Sequence, residues 1–148
     1  MSLDRVDLRI IRSLNKDSRK PYIKVAEEIG VSDTTVRQRV KRMLDEGIIK
    51  QFNLLLDYHK IGRIIKAFIG LKISPTKLMD VVDLLVENPD VQVLYRTTGN
   101  WDMFVEVIFK DMEELKNFLE TKLNIESITG TEVNVVIGPY KRCPCTGL

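Results

Sequence analysis

The chain has 148 residues, of which 44% are hydrophobic and 30% charged, so it can bury a core and lacks the composition of a disordered or fibrous protein. Its apolar runs are far shorter than the roughly 18 residues of a membrane span, and its first residues do not begin a signal peptide, so we expect a cytoplasmic protein with no membrane partner. The net charge of +2 divides unevenly, with 12 Lys and Arg against 8 Asp and Glu in residues 1–50 and 11 against 13 in the remainder, which favours a basic module that meets phosphate.

Three helices are predicted in the first third of the chain. Apolar residues at helical spacing indicate a first helix over Asp4–Asn15 and a third over Asp33–Glu46. Between them lies a short helix that ends at Gly30, and Ser32 can cap the third helix. The residues expected to face inward from the second and third helices are Ile23, Ala26, Ile29, Val36, Val40, Met43 and Leu44. Two helices that meet at so sharp a turn are typical of a helix-turn-helix.

The hydrophobic period changes after the third helix. The segment Ile48–Leu56 is predicted as a strand, and Asp57–Gly62 as a connector. We therefore predict three parts: a helix-turn-helix DNA-binding domain over residues 1–50, a strand and hinge linker over 51–62, and a ligand-sensing and dimerisation domain over 63–148.

The remaining elements are predicted in the order strand, helix, strand, strand, helix, strand. The strands are Ile64–Ser74, Val91–Thr98, Asp102–Phe109 and Thr131–Gly138, and the helices are Thr76–Glu87 and Asp111–Lys122. This order is that of a ferredoxin-like βαββαβ sandwich, with both helices on one face of an antiparallel sheet. The predicted fold class is α+β: an N-terminal winged-type helix-turn-helix plus this C-terminal sandwich.

Alternation along the strands separates two faces of the predicted sheet. We expect an apolar set to lie under the helices: Ala67, Ile69, Leu71, Ile73, Met103, Val105, Val107, Phe109, Val133, Val135 and Ile137. A mixed set would form the open face: Lys66, Phe68, Lys72, Leu94, Arg96, Phe104, Glu106, Ile108 and Val136. The apolar members of the mixed set predict sheet-to-sheet dimerisation; the alternative is that loops cover some of them.

The outer side of the third helix is polar and fits a DNA major groove. Hydroxyls can bond bases or phosphates, an amide can pair with adenine, and cations neutralise the backbone. The predicted DNA-binding residues are Ser32, Thr34, Thr35, Arg37, Gln38, Lys41 and Arg42. Any soluble helix has a solvated polar face, but the preceding short helix and the capped turn favour DNA recognition.

Three stretches, Leu3–Ile11, Val25–Ser32 and Arg39–Ile49, resemble the Lrp/AsnC family of prokaryotic regulators. The resemblance extends over nearly the whole chain. It implies transcription regulation through double-stranded DNA by a homo-oligomer, a dimer that assembles into an octamer of four dimers. It also implies a small-molecule effector, probably chosen among the amino acids.

The stretch Thr98–Asp102 resembles the family loop that lies near the effector at a dimer interface. Gly99 permits close approach of the backbone, Trp101 could exclude solvent, and Asp102 could pair with an ammonium group. The predicted effector-binding residues are Thr98, Gly99, Asn100, Trp101, Asp102 and Thr131. The chain departs from the family at Glu126–Ser127, and at Val133, where a second threonine is common. The alternative for the loop is a tight hairpin with a packing tryptophan.

No constellation of catalytic residues, metal ligands or cofactor-binding residues is recognised, so we expect neither an enzyme nor a cofactor. The single histidine, His59, lies in the connector and suits a surface or hinge position. Two alternatives stay open: a siroheme-decarboxylase-like enzyme, and a partner of related regulators that does not bind DNA. Cys143 and Cys145 are too close for a comfortable disulfide with each other and have no predicted role.

Overall fold

The computed structural model describes residues 3–138 and 140, and these form two compact units that divide between Leu55 and Leu56. Each unit has a hydrophobic core of its own. Within the described residues, no helix is long and apolar enough to cross a bilayer. Cys143 and Cys145 lie outside the described residues. The finer division at residues 50 and 62 stays a prediction.

The N-terminal unit consists of three helices: α1 (Arg5–Lys16), α2 (Tyr22–Ile29) and α3 (Asp33–Asp45). Gly30 ends α2 with a φ of 76°, in the left-handed region where glycine is favoured. The core of the unit contains Ile10, Leu14, Val25, Ala26, Ile29, Val36, Val40 and Met43. The sequence prediction was wrong at Ile23, which is 54% exposed, because Val25 occupies the inward position of α2. Leu44 is also outside the core, at 38% exposed.

The predicted strand over Ile48–Leu56 is not formed. Its residues have no strand geometry, and the one backbone bond described there runs from the Ile49 N–H back to the Met43 carbonyl. A strand requires a second strand to pair its backbone groups, and the described residues of this chain supply none for this segment. Leu54 and Leu55 are left 79% and 70% exposed.

The C-terminal unit is a four-stranded antiparallel sheet with helices on one face. Its strands are β1 (Ile65–Ile73), β2 (Val91–Arg96), β3 (Met103–Phe109) and β4 (Ile128–Val135), in the spatial order β2-β3-β1-β4. The helices are α4 (Leu78–Val86) and α5 (Met112–Phe118), and α5 continues into a π-helical turn over Leu119–Leu123. The predicted α+β class and ferredoxin-like order are confirmed.

The core lies between the sheet and its helices. It contains Ala67, Ile69, Leu71 and Ile73 of β1, alternate residues of β3, and Val81, Leu85, Leu115, Phe118 and Leu123 from the helical side. The rings of Phe109 and Phe118 meet at a centroid distance of 5.2 Å. The apolar set predicted for β1 and β3 is therefore buried as expected.

The two outer strands depart from the predicted pattern. A register shift between Val91 and Val93 places Leu94 opposite Val105, on the core side, so Leu94 and Arg96 were assigned to the wrong face. Tyr95, opposite Phe104, takes the open-face position instead. On β4 the last pair is Ala67 with Val135, so Ile137 lies beyond the sheet and Val135 is 37% exposed at its edge. Ile108, expected on the open face, is only 2% exposed.

Candidate nucleic-acid interface and effector loop

Three of the residues predicted to contact DNA form the exposed row of α3. Thr34, Gln38 and Lys41 are all exposed, and their spacing of four and three residues places them on one side of the helix. Among the described residues, none of the three side chains forms a hydrogen bond or an ion pair with the protein. Their polar groups are therefore available to a ligand.

Ser32 and Thr35 act together in starting α3. The Ser32 side chain accepts a hydrogen bond from the Thr35 N–H at 3.1 Å, and the two hydroxyl oxygens lie 2.8 Å apart. This N-cap satisfies one of the donors that a helix start leaves open. The two hydroxyls remain at the exposed end of α3, but their first role is to fix where the helix begins.

The two predicted arginines have carboxylate partners within the N-terminal unit. Arg37 donates to Asp33 at 2.7 Å, one turn earlier in α3, and its guanidinium lies 5.5 Å from the ring centroid of Tyr22. Arg42 donates to Asp7 of α1 at 2.6 Å. Contact of Arg42 with a phosphate would have to compete with this partly buried pair, so the structure gives Arg42 a positioning role between α1 and α3.

The acidic partners of α3 were missed by the sequence prediction. Asp7 is fully buried and bonds both Arg39 and Arg42, and Arg39 also pairs with Asp4. Asp4 and Asp7 form a reciprocal capping box at the start of α1, in which each carboxylate accepts the other's N–H. The bond from the Asp7 N–H, followed by the Arg39 guanidinium, holds the pKa of Asp4 below its ordinary value. The signal was an acid at the third helical position, on the apolar side of α1.

The predicted effector loop connects β2 to β3 and is closed by its own hydrogen bonds. The Thr97 N–H donates to the Asp102 carbonyl at 3.0 Å, and the Thr97 hydroxyl donates to the Trp101 carbonyl at 2.7 Å. Gly99 has a φ of 107°, a value that side chains disfavour. Thr98 and Asn100 are exposed at the tip. The tip is therefore held in one shape and presents these two side chains to solvent.

The Asp102 carboxylate has partners on β1. One oxygen accepts the Ile73 N–H at 2.9 Å, and the other lies 3.5 Å from the Lys72 ammonium. The bond from Ile73, followed by the charge of Lys72, lowers the pKa of Asp102. The Asp102 N–H also donates to the Leu71 carbonyl at 2.9 Å, so this residue fastens the loop to the sheet.

Trp101 lies on the open face of the sheet, over glycine. A Cβ built on Gly70 would come within 2.8 Å of the Trp101 ring, and one on Gly130 within 3.6 Å. Two strands thus lack a side chain where the indole passes. The open face also carries Phe68, Tyr95 and Phe104, which are 41%, 64% and 36% exposed.

Thr131 is separated from the loop within one chain. It pairs with Leu71 of the core, so its side chain lies on the helix side of the sheet, opposite the face that holds Trp101. There it lines a shallow cleft of about 380 Å³ together with Leu119, Leu123 and Asn124. The structure therefore brings Thr98 to Asp102 together in one loop, and leaves Thr131 apart from them.

Comparison with known proteins gives a match to each half of the chain. Residues 3–50 match a model described as winged helix-turn-helix DNA-binding, and residues 66–144 match one described as Lrp/AsnC ligand binding domain. Two similar relatives are the transcriptional regulators FL11 of Pyrococcus furiosus and Ptr1 of Methanocaldococcus jannaschii. They are 35% and 37% identical, over 94% of this chain and 92% and 95% of theirs.

Solved structures agree with these matches. Escherichia coli AsnC superposes with a TM-score of 0.88 and 26% identity, over 96% of this chain and 97% of its own. The regulator NMB0573 of Neisseria meningitidis, solved as a complex with L-Met, has a TM-score of 0.91 at 24% identity, over 97% and 95%. At that identity the second likeness shows the fold alone.

Proposed function

Because the chain belongs to the Lrp/AsnC family and is a DNA-binding transcriptional regulator, we propose that it reads a specific operator through α3 and that an amino acid or related small metabolite modulates it. The observation that carries the first part is the exposed row of Thr34, Gln38 and Lys41. The relatives are regulators, so the siroheme-decarboxylase alternative loses its support, and the match of residues 3–50 speaks against a partner that does not bind DNA.

The row divides the work of recognition by chemistry. The Gln38 amide can donate to and accept from one adenine edge, which distinguishes it from the other bases. Lys41 carries a point charge that suits any phosphate, and the Thr34 hydroxyl suits either group. We therefore assign base selection to Gln38 and sequence-independent affinity to Lys41.

Dimerisation would supply two recognition helices to one operator. The open face of the sheet, with Phe68, Tyr95 and Phe104, supports a sheet-to-sheet dimer. Half-sites should then lie about one helical turn apart, roughly 34–36 Å. The octamer of four dimers and the cytoplasmic location belong to the same proposal, and both rest on the family resemblance.

The DNA part is tested with Gln38→Ala and Lys41→Ala. Gln38→Ala should reduce the preference for selected over random duplex by about 10- to 100-fold, since one bidentate contact contributes about 1–3 kcal/mol of discrimination. Lys41→Ala should weaken both duplexes alike and reduce the slope of log affinity against log salt by about 0.9 per protomer. Fluorescence anisotropy over a salt series measures both quantities.

Lys122→Ala is the matched control, because Lys122 is an exposed lysine of the C-terminal unit without a bonded partner among the described residues. It should leave affinity and salt slope unchanged. Equal losses on selected and random DNA from both α3 variants would refute the assignment of the two roles.

The effector part is supported by the loop of Thr98 to Asp102, and by a structural neighbour that was solved with L-Met. Because the Asp102 carboxylate already has partners, we expect the exposed tip, Thr98 and Asn100, to select the ligand. A ligand at ten times its Kd adds about 1.4 kcal/mol of stability, or about 3–5 °C in Tm. Thermal unfolding with each of the twenty amino acids should show such a shift for one ligand class.

Asn100→Ala should abolish that shift without lowering the Tm of the free protein, because the Asn100 side chain is exposed at the tip of the loop. If no amino acid stabilises the parent chain, the effector proposal fails while the DNA part stands.

A further inference from the structure

The outer face of α1 carries a stripe of four cations, Arg5, Arg9, Arg12 and Lys16, which we call the α1 stripe. Their spacings of four, three and four residues keep them within about 60° of the helix circumference, and all four are exposed. The stripe spans about 16 Å along the axis. It forms a narrow and continuous positive ridge.

The acids near the stripe are already paired. Asp4 and Asp7 of α1 face the other way and bond α3 arginines. On α2, Glu28 binds Lys20 at 2.7 Å and Glu27 binds Lys24 at 2.8 Å.

The stripe itself has few internal partners. Arg9 donates one long bond of 3.4 Å to the Glu28 carbonyl. Within the described part of the chain, Arg5, Arg12 and Lys16 form no ion pair. The positive charge of the stripe is therefore directed to solvent.

The recognition helix offers less free charge than α1 does. Of its four cations, Arg37, Arg39 and Arg42 are paired with carboxylates, and only Lys41 lacks such a partner. The excess positive charge of residues 1–50 thus lies mainly on α1, on a surface that the α3 row does not include.

The stripe points away from α3. At 100° per residue, its centre lies roughly 140° around α1 from the side on which Asp4 and Asp7 meet the α3 arginines. DNA seated on the α3 row is therefore on a different side of this unit from the stripe.

Helix stability does not account for the stripe. Arg5 with Arg9, and Arg12 with Lys16, are like charges four residues apart, which repel each other on a helix surface. Arg5 also lies in the first turn, where the helix dipole disfavours a cation. A surface that opposes its own helix in this way suggests an anionic partner.

We propose that the α1 stripe binds the phosphate backbone of a DNA segment other than the one that α3 reads, an inference that rests on the proposed DNA-binding function. One strand of B-form DNA presents about five phosphates over 16 Å, which matches four cations in a row. A bilayer surface fits less well, because the apolar residues of α1, Ile10 and Leu14, are buried in the core. One protomer then holds two segments of duplex, so the protein bridges or wraps DNA.

The test compares the parent chain with the stripe variant Arg5→Ala/Arg9→Ala/Arg12→Ala/Lys16→Ala. Its control removes the same charge from exposed lysines of the C-terminal unit, Lys77→Ala/Lys110→Ala/Lys116→Ala/Lys122→Ala. The first measurement is the Kd for a selected duplex of about 20 base pairs. The second is capture of a second, labelled duplex by protein already bound to an immobilised one, over a salt series.

We expect the stripe variant to bind the short duplex within about threefold of the parent and to capture the second duplex at least tenfold less. The salt slope of capture should fall by about 0.9 for each lost phosphate contact. The lysine control should behave as the parent does. Alanine favours helix, so the variant should fold; if circular dichroism shows otherwise, Arg5→Gln/Arg12→Gln replaces it, with a partial loss of capture expected.

Unchanged capture by the stripe variant would overturn the proposal and would leave an acidic protein as the partner to seek. Equal losses in the lysine control would also overturn it, since total charge would then be the cause. Loss of the short duplex together with the second would place the stripe on the α3-bound segment and overturn it too. Failure of the parent to bind the short duplex would instead refute the proposed function itself.

Discussion

Gly70 of β1 lies under the indole of Trp101, and the space between them admits no side chain. A Cβ at this position would be 2.8 Å from two ring atoms next to the Trp101 attachment point, which a rotation of the ring end cannot relieve. Because this crowding is at the base of the indole, the whole residue has to move. The loop and the strand therefore fit together only with glycine at residue 70.

Gly70→Ala should accordingly destabilise the protein by about 1–3 kcal/mol, the usual cost of an overpacked site. Gly138→Ala is the control, because a Cβ there meets nothing within 4 Å, and it should change stability by less than about 0.5 kcal/mol. Urea unfolding of both variants measures the difference. A Gly70→Ala protein as stable as the parent would show that the close contact does not exist in solution.

Asp102 gives a second prediction at the scale of one residue. The Ile73 N–H and the Lys72 charge lower its pKa in the folded chain from the ordinary value of 3.8. The charged form is therefore favoured by folding, so its stabilisation is present above about pH 4 and is lost as the pH falls through the lowered pKa. Asp102→Asn should have a lower Tm than the parent at pH 6, and the gap should narrow at pH 3.

Asp83→Asn is the control for the pH series. Asp83 is exposed on α4 and has no bonded partner within the described residues, so its replacement should leave the Tm of the parent unchanged at pH 6. A gap between parent and Asp102→Asn that is as wide at pH 3 as at pH 6 would contradict the assigned role of the carboxylate.

At the scale of the element, α1 sets the position of α3 through one buried carboxylate. Asp7 binds Arg42 at 2.6 Å and Arg39 at 3.2 Å, and it also closes the capping box of α1. The recognition helix is thus fixed about its own axis by charged bonds as well as by Val36, Val40 and Met43 of the core. These bonds determine which side of α3 reaches solvent.

Asp7→Ala should destabilise the N-terminal unit by about 2–4 kcal/mol, because two partly buried guanidinium groups lose their acceptor. Asp45→Ala, at the exposed end of α3, should cost far less. Thermal unfolding compares the two. If Asp7→Ala unfolds at the temperature of the parent, the pairs seen here contribute nothing to holding α3.

How far the sequence predicted these elements depends on where their partners lie. Helix periods, the Gly30 end and the Ser32 cap are local, and they placed all three N-terminal helices within a residue or two. The segment Ile48–Leu56 has the composition of a strand, but composition cannot provide the second strand that it needs. The bulge in β2 likewise reverses which residues face the core, and no single residue announces it.

The candidate site was predictable in the same degree. The outward side of α3 follows from its period, so Thr34, Gln38 and Lys41 were found. The pairing of Arg42 with Asp7 joins residues 35 positions apart, which a pattern within one helix cannot show. The same holds for Thr131, since its distance from Trp101 depends on strand register.

For the whole molecule, the open face of the sheet decides the oligomeric state that we propose. Tyr95, 64% exposed, lies beside Phe104 on that face. Tyr95→Glu should weaken dimer association at least tenfold, because a sheet-to-sheet interface would bury the new charge without a partner. Met79→Glu, at a 62% exposed residue of α4, should have no such effect. Sedimentation equilibrium of both variants gives the comparison, and an unchanged Tyr95→Glu dimer would place the interface elsewhere.

Trp101 is the only tryptophan of the chain, and it lies half-buried where the proposed effector loop meets the proposed dimer face. Its emission wavelength is therefore an intrinsic optical signal for both events, free of background from other indoles. A metabolite at the loop tip would perturb it at constant protein concentration, whereas subunit association would perturb it on dilution. One cuvette titration thus separates the two processes without any attached dye.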